Sequence, residues 1–347
     1  MEPAKSSNTA WAAALGASVA FMLLYVAAGW NGWGQPAAGE HFPGEISRWC
    51  ERVSAGVFRE PVNALSNLGF MVAGVVMFFV LTRDRERSSR FHGLTPVAIL
   101  YAGATTYLGA GSLLMHGTHT AWGAWADNVG MVGYILVPWL INVAEMGRWS
   151  RPRLFGAYAV LVVLYAMGYA LQGDKLGIHL DLFELSIALW GISELLYRFW
   201  SPLVRMLSGL LGVGIAAAFG ITPGEMFAQP AQYWWVLLFW LPAVISSHPP
   251  RGRRGYWPWY FVGVTIFAVA YAIWLTGRPA NPWCRPDSSI QAHGIWHVMN
   301  AVAILCFFKF LRTERPHGRK RGRGSFPDSN GHNWANSPLI RQGFASS

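Results

Sequence analysis

Apolar residues run along this chain in blocks long enough to cross a bilayer, which takes about 20 predominantly apolar residues in a helix. Ten such blocks can be drawn, near 10–30, 61–82, 94–115, 122–144, 154–172, 179–200, 204–221, 232–248, 256–276 and 290–312. The block at 179–200 carries Asp181, Glu184 and Glu194, and the one at 232–248 is short. Polar residues fall between the blocks, and their charge alternates. One set of connections holds Arg83, Arg85, Arg87 and Arg90, then Arg148, Arg151 and Arg153, then Arg198 and Arg205, then Arg251, Arg253 and Arg254. The same set ends in a tail with Arg312, Arg315, Arg319, Lys320, Arg321 and Arg323. The other set is poor in basic residues, with Lys175, Arg278 and Arg285, although its connection at 48–59 holds Arg48, Arg52 and Arg59. Basic connections stay on the cytoplasmic side, so both termini are expected there.

This pattern predicts an all-α, multi-pass integral membrane protein, and composition agrees. Of the 347 residues, 53% are hydrophobic and 13% are charged, about half the roughly 25% charge of a soluble domain. A net charge of +10 would point toward nucleic acid in a soluble protein. Here the positive connections already account for it, so no nucleic-acid partner is expected. Three cysteines are too few for a disulfide framework, and Cys306, inside an apolar block, reads as a small core residue. Lys5 before the first block and Ala37-Ala38-Gly39 after it resemble the flanks of a leader peptide. The apolar stretch is longer than a leader's, which favours an uncleaved helix. Residues 1–48 therefore read as an N-terminal helix with an outer linker, and 49–312 as the main membrane domain. Residues 313–347, with little apolar content, read as a disordered basic cytoplasmic tail.

Ionisable side chains inside spans are costly and point to function. His293 and His297, at i and i+4, share one helix face. They suit two metal ligands, or two interfacial histidines bonded to water or lipid. Ser112 and His116 repeat that spacing. Asp127 follows a short connection and so sits on an antiparallel neighbour. Ser112 also suits a helix interface, and Asp127 a pairing with an arginine or a backbone amide. Lys and Arg alone set this topology, yet it places all five residues in one outer layer. Three histidines with an open fourth position form the ligand pattern of a catalytic zinc site.

Four stretches together resemble the alkaline ceramidase family, within the group of membrane hydrolases that includes adiponectin-receptor-like proteins. They are Trp49-Cys50-Glu51; Glu60-Pro61-Val62-Asn63 with Ser66 and Asn67; Gly109 through His116 with Asp127 and Met131 beyond; and His293 through His297. The resemblance implies a seven-helix ceramidase-like core, here with additional transmembrane helices. It implies that His116, His293 and His297 bind zinc, which activates a water. Asp127 would orient and deprotonate that water, and Ser112 would support it or the developing oxyanion. The family's calcium site would map onto Glu51 and Glu60. Arg48 and Val53 stand where the family has oxygen-bearing side chains, which weakens a site needing about 6–8 oxygens. Calcium is therefore not expected with the same force as zinc, and Glu60 with Asn63 could instead cap a helix start. Two further departures are the surplus spans between 154 and 276 and the Asn128-Val129-Gly130 run after Asp127.

Cys50 and Cys284 both fall in outer connections, where an oxidising exterior allows a disulfide; a free, buried Cys50 is the alternative. The expected activity is zinc-dependent cleavage of a lipid amide such as ceramide, with a membrane lipid as partner and no oligomeric state implied. An ester-cleaving relative stays open, because both reactions need the same electrophile activation. So does a receptor with a structural metal, or a transporter using Asp181, Glu184 and Glu194. His119 and His179 are outer-side polar residues without an assigned role. The Ala-, Gly- and Arg-rich composition is compatible with a bacterial inner membrane.

Overall fold

Helix starts are written into the sequence as hydroxyl caps, often followed by proline. Thr95, Thr120, Ser150 and Ser201 each accept a backbone N–H of the first turn, satisfying a donor the helix cannot. Pro61, Pro96, Pro152 and Pro202 sit where a missing N–H costs nothing. The computed structural model describes residues 9–84, 89–173 and 175–316; Lys5, Arg85, Arg87 and the tail from 317 onward lie outside the described residues. In chain order the helices are α1 (Thr9–Ala28), α2 (Pro61–Ser66), α3 (Leu68–Arg83), α4 (Pro96–Thr118), α5 (Ala121–Met146), α6 (Arg151–Gln172) and α7 (Leu182–Phe199). Then come α8 (Pro202–Leu207), α9 (Gly209–Ala218), α10 (Pro223–Ala228), a 3-10 turn at Trp234–Trp240, α11 (Leu241–Ile245), α12 (Trp259–Thr276) and α13 (Ala292–Arg312). One two-residue antiparallel pair joins β1 (Gly252–Arg253) to β2 (Arg315–Pro316).

Among the described residues seven helices are long and apolar enough to cross a membrane: α1, α2 continued by α3, α4, α5, α6, α12 and α13. The chain is a multi-pass membrane protein. The other three expected crossings are helical but differ from simple spans. The block at 179–200 becomes α7, whose Glu184, Glu194 and Arg198 interrupt its apolar character. The block at 204–221 breaks at Ser208 into α8 and α9, and 232–248 becomes a 3-10 turn followed by α11. These last two still run back and forth across the bundle. Trp234 donates to the Ile178 carbonyl at one end, and Trp200 donates to the Ser246 carbonyl at the other. Gly209 and Gly212 let this hairpin close, since a Cβ on either would strike Trp240 or Phe239.

α5 is the central helix, packed along α4, α6 and α7 and buried over most of its length. Glycines on α4 and α5 bring the two together. A Cβ on Gly111 would lie 2.4 Å from the Ala126 carbonyl, and one on Gly123 would lie 2.6 Å from the Leu114 carbonyl. Those contacts are against backbone, which cannot turn aside, so absence of a side chain sets the helix spacing.

The end of the bundle away from His116 is closed by ion pairs. Arg312 meets Asp84 at 2.6 Å, Arg90 meets Glu314 at 2.7 Å, and Arg254 meets Glu314 at 2.9 Å and Glu194 at 3.0 Å. Asn142 and Tyr256 complete the bonding of Glu194. Residues 313–316 therefore belong to the bundle, contrary to the disorder expected from 313: Glu314 is buried, and Arg315–Pro316 pairs with β1. Of the three acidic residues weighed as a cation path, Asp181 caps α7 and bonds Lys175, while Glu194 is held by Arg254. Only Glu184 has a buried carboxylate oxygen without a partner among the three.

Candidate metal centre

Two helices deliver three histidines to one depth. His116 lies in the last turn of α4, and His293 and His297 in the first two turns of α13. The i,i+4 spacing on α13 turns both rings toward α4. Close approach is again a matter of missing side chains, since Gly294 faces Val62 and Ser66. All three histidines are at most 5% exposed. One ring nitrogen of each lies within 4.8 Å of the others, and His116 Nε2 stands 3.1 Å from His293 Nε2. Tetrahedral zinc with bonds of about 2.0–2.1 Å needs ligand nitrogens roughly 3.3 Å apart, so the donor set fits the ion in type and spacing. Among the described residues this is the one group of three or more such side chains so arranged.

The backs of the rings are held as metal-binding imidazoles require. His116 Nδ1 bonds the Glu60 carboxylate. His297 Nδ1 lies 2.8 Å from Ser66 Oγ and 3.2 Å from the Asn63 carbonyl. Bonds at Nδ1 fix the tautomer and leave Nε2 for the centre. His293 has no partner at Nδ1 and is instead stacked on Trp49, 4.2 Å between ring centres. Ser112, one turn before His116, hydrogen-bonds Asp127. Asp127 is 5% exposed, within electrostatic reach of His116, and keeps Oδ1 without a partner. His116, His293, His297, Asp127 and Ser112, the five residues mapped onto the zinc site, thus meet at one end of the bundle.

Glu51 and Glu60, the pair mapped onto calcium, both bond protein groups. Glu51 accepts the Val62 and Asn63 amides at 2.7 and 2.8 Å, capping α2 from a distance of eleven and twelve residues along the chain. Burial pushes its carboxyl up, and those two amides work against the rise. Glu60, expected as an alternative cap, makes no side-chain cap bond. It sits between His116 and His119, 3.4 Å from His119 Nε2. Burial opposes its charge, yet the charges and hydrogen bonds of those histidines hold its carboxyl well below the ordinary carboxylate range.

Trp49 and Ser66 had no expected role, and Asn63 was expected only as a cap of the helix start; here Asn63 and Ser66 hold His297, and Trp49 stacks on His293. Their contribution depends on how the 49–63 segment folds over α13, which no local spacing shows. That segment is pinned to the start of α13 by the Cys50–Cys284 disulfide and by Arg52, which bonds Asp287 at 2.6 Å. His119 borders the histidine group through Glu60.

A search of curated proteins finds nothing that matches this chain. The family model described as Ceramidase matches residues 46–334, which contain His116, His293, His297, Asp127, Ser112 and both disulfide cysteines. The match spans most of the sequence and takes in every element from α2 to α13. This chain therefore belongs to the ceramidase family, hydrolases acting on amides.

Proposed function

We propose that the chain is a zinc-dependent amidase of the membrane, cleaving the amide of a ceramide-like lipid to a fatty acid and a long-chain amine. The observation that carries this reading is the meeting of His116, His293 and His297 with an unpartnered, buried carboxylate oxygen of Asp127. When bound, zinc supplies Lewis acidity, polarising a carbonyl and easing the loss of a proton from water. The rest is chemistry of the chain. Ser112 holds the Asp127 carboxylate, leaving Oδ1 to take a proton from the attacking water. The water oxygen bonds the acyl carbon, the C–N bond breaks, and the proton on Asp127 passes to the departing nitrogen. An amide needs that last step more than an ester does, because an unprotonated amine anion leaves poorly.

The site end would face away from the cytoplasm. Arg90, Arg148, Arg254 and Arg312 gather at the opposite end, where the positive-inside rule puts the cytoplasm. A bacterial inner membrane suits such an orientation. The test is fatty-acid release by detergent-purified protein from ceramides, N-acyl amines and phospholipids, with His297→Ala alongside and metal content read on both. Release from a lipid amide that vanishes together with zinc is expected. Retained zinc without release from any lipid would overturn the reading in favour of a structural metal.

A further inference from the structure

The residues before the family match do more than add a helix. Tyr25, near the end of α1, is 3% exposed and donates to the Val57 carbonyl at 2.7 Å. Trp33 donates to the same carbonyl at 2.7 Å. Gly117, next to His116, has no room for a side chain because Tyr25 Oη occupies the space, 2.1 Å from where a Cβ would be. Arg59 bonds the Gly34 carbonyl, and the Ala37 amide donates to the His119 carbonyl at 2.8 Å. The arm from Tyr25 to His41 thus lies against the backs of two segments, 57–60 and 117–119.

Those two segments hold the ligand His116. The Arg59 and Glu60 amides donate to the Gly117 and His116 carbonyls, each at 3.0 Å. His119 ends α4 in a left-handed conformation, with φ of 52°. That turn brings its ring back over Glu60. Nε2 lies 3.4 Å from Glu60 Oε1, while Nδ1 faces the His41 carbonyl at 3.4 Å and Glu40 Oε2 at 3.9 Å. Glu40 is held from outside by Arg48. A continuous run of contacts therefore leads from Glu40 through His119 and Glu60 to His116 Nδ1.

We propose that His119 and Glu40 are positioning residues of the metal centre, through which the N-terminal arm sets the orientation of His116. This rests on the reading of the three histidines as metal ligands. Glu60 Oε2 bonds His116 and also accepts from Asn63 Nδ2 at 3.3 Å, while Oε1 faces His119. Without a neighbour on Oε1 the carboxylate could rotate away, and His116 could lose the tautomer that presents Nε2. Partners behind a metal-binding histidine typically change metal affinity by about 10–100-fold when removed.

The test measures zinc affinity of the full-length protein by chelator competition, with no lipid present. His119→Phe keeps a ring and removes both nitrogens; Glu40→Gln is milder and half-way to the surface. His119→Gln can still offer an N–H toward Glu60. Weakening of about tenfold or more in His119→Phe, a smaller loss in Glu40→Gln, and substantial recovery in His119→Gln are expected. Should His119→Phe fail to fold, Glu40→Gln and His119→Gln carry the comparison, and the expected order is wild type, then His119→Gln and Glu40→Gln, both measurably weaker. Wild-type affinity in all variants that fold would overturn the proposal while leaving the metal reading intact. A wild-type protein without zinc affinity would overturn both.

Discussion

His116 shows how much chemistry one residue can hold. Its spacing from Ser112 and its place at a helix end were legible in the sequence, and so was its association with His293 and His297. The role of Glu60 was not. A glutamate before a proline at a helix start reads as a cap or, through the family, as a calcium ligand. Its bond to His116 depends on a backbone ladder between segments 56 residues apart. The bonds of Glu51 were hidden for the same reason, since the amides it accepts lie beyond a loop. Asp127 is the residue on which the proposed chemistry turns. Asp127→Asn keeps its shape and a contact to Ser112 but cannot take a proton. Hydrolysis is expected to fall by about 10²–10⁴-fold, with zinc content by atomic absorption unchanged. A parallel loss of zinc would instead make Asp127 a part of the metal's support.

At the scale of elements, the site depends on helices packing closer than ordinary side chains permit. α4 and α5 meet through Gly111, where the backbone at Ala126 and Asp127 fills the space a Cβ would need. Gly111→Ala is expected to destabilise by about 1–3 kcal/mol, the usual cost of overpacking. It should also move Asp127 relative to His116, so activity should fall more than stability suggests. Gly103→Ala, on the same helix with nothing within 4 Å, should leave thermal unfolding unchanged or slightly improved. Equal effects of the two would show that the seam does not set the spacing. Helix existence was legible almost everywhere from apolar blocks and caps. The break in the seventh block was not, because Ser208 and the glycines after it look like ordinary features of a membrane helix. Only the packing of Gly209 and Gly212 under aromatic rings shows that the hairpin is shaped by its partner.

At the scale of the molecule, one end carries the candidate centre and the other a lattice of ion pairs. The charge alternation in the sequence separated the two ends. It did not show that basic residues at the second end would find Asp84, Glu194 and Glu314. Burial works against ionisation of Glu314 and Asp84. The charges of Arg254 and Arg90 beside the first, and Arg312 with the Gly93 amide beside the second, nevertheless hold both carboxyls below their ordinary values. A carboxyl held low in the folded state adds stability that is complete above its unfolded value and is lost as pH falls through the lower folded one. Thermal unfolding should therefore be insensitive to these groups above about pH 5 and shift downward below about pH 4. Glu314→Gln should lower the melting temperature at neutral pH and flatten the acid limb; an unchanged limb would remove Glu314 from that account. The chain separation of the candidate ligands has its own consequence. His116 and His293 stand 177 residues apart, and the later pair rides on the last helix. During synthesis, the first ligand and its carboxylate enter the bilayer long before their counterparts exist. Capture of a metal by all three histidines would then require a fully inserted chain, so metal uptake would serve the cell as a certificate of completed biogenesis.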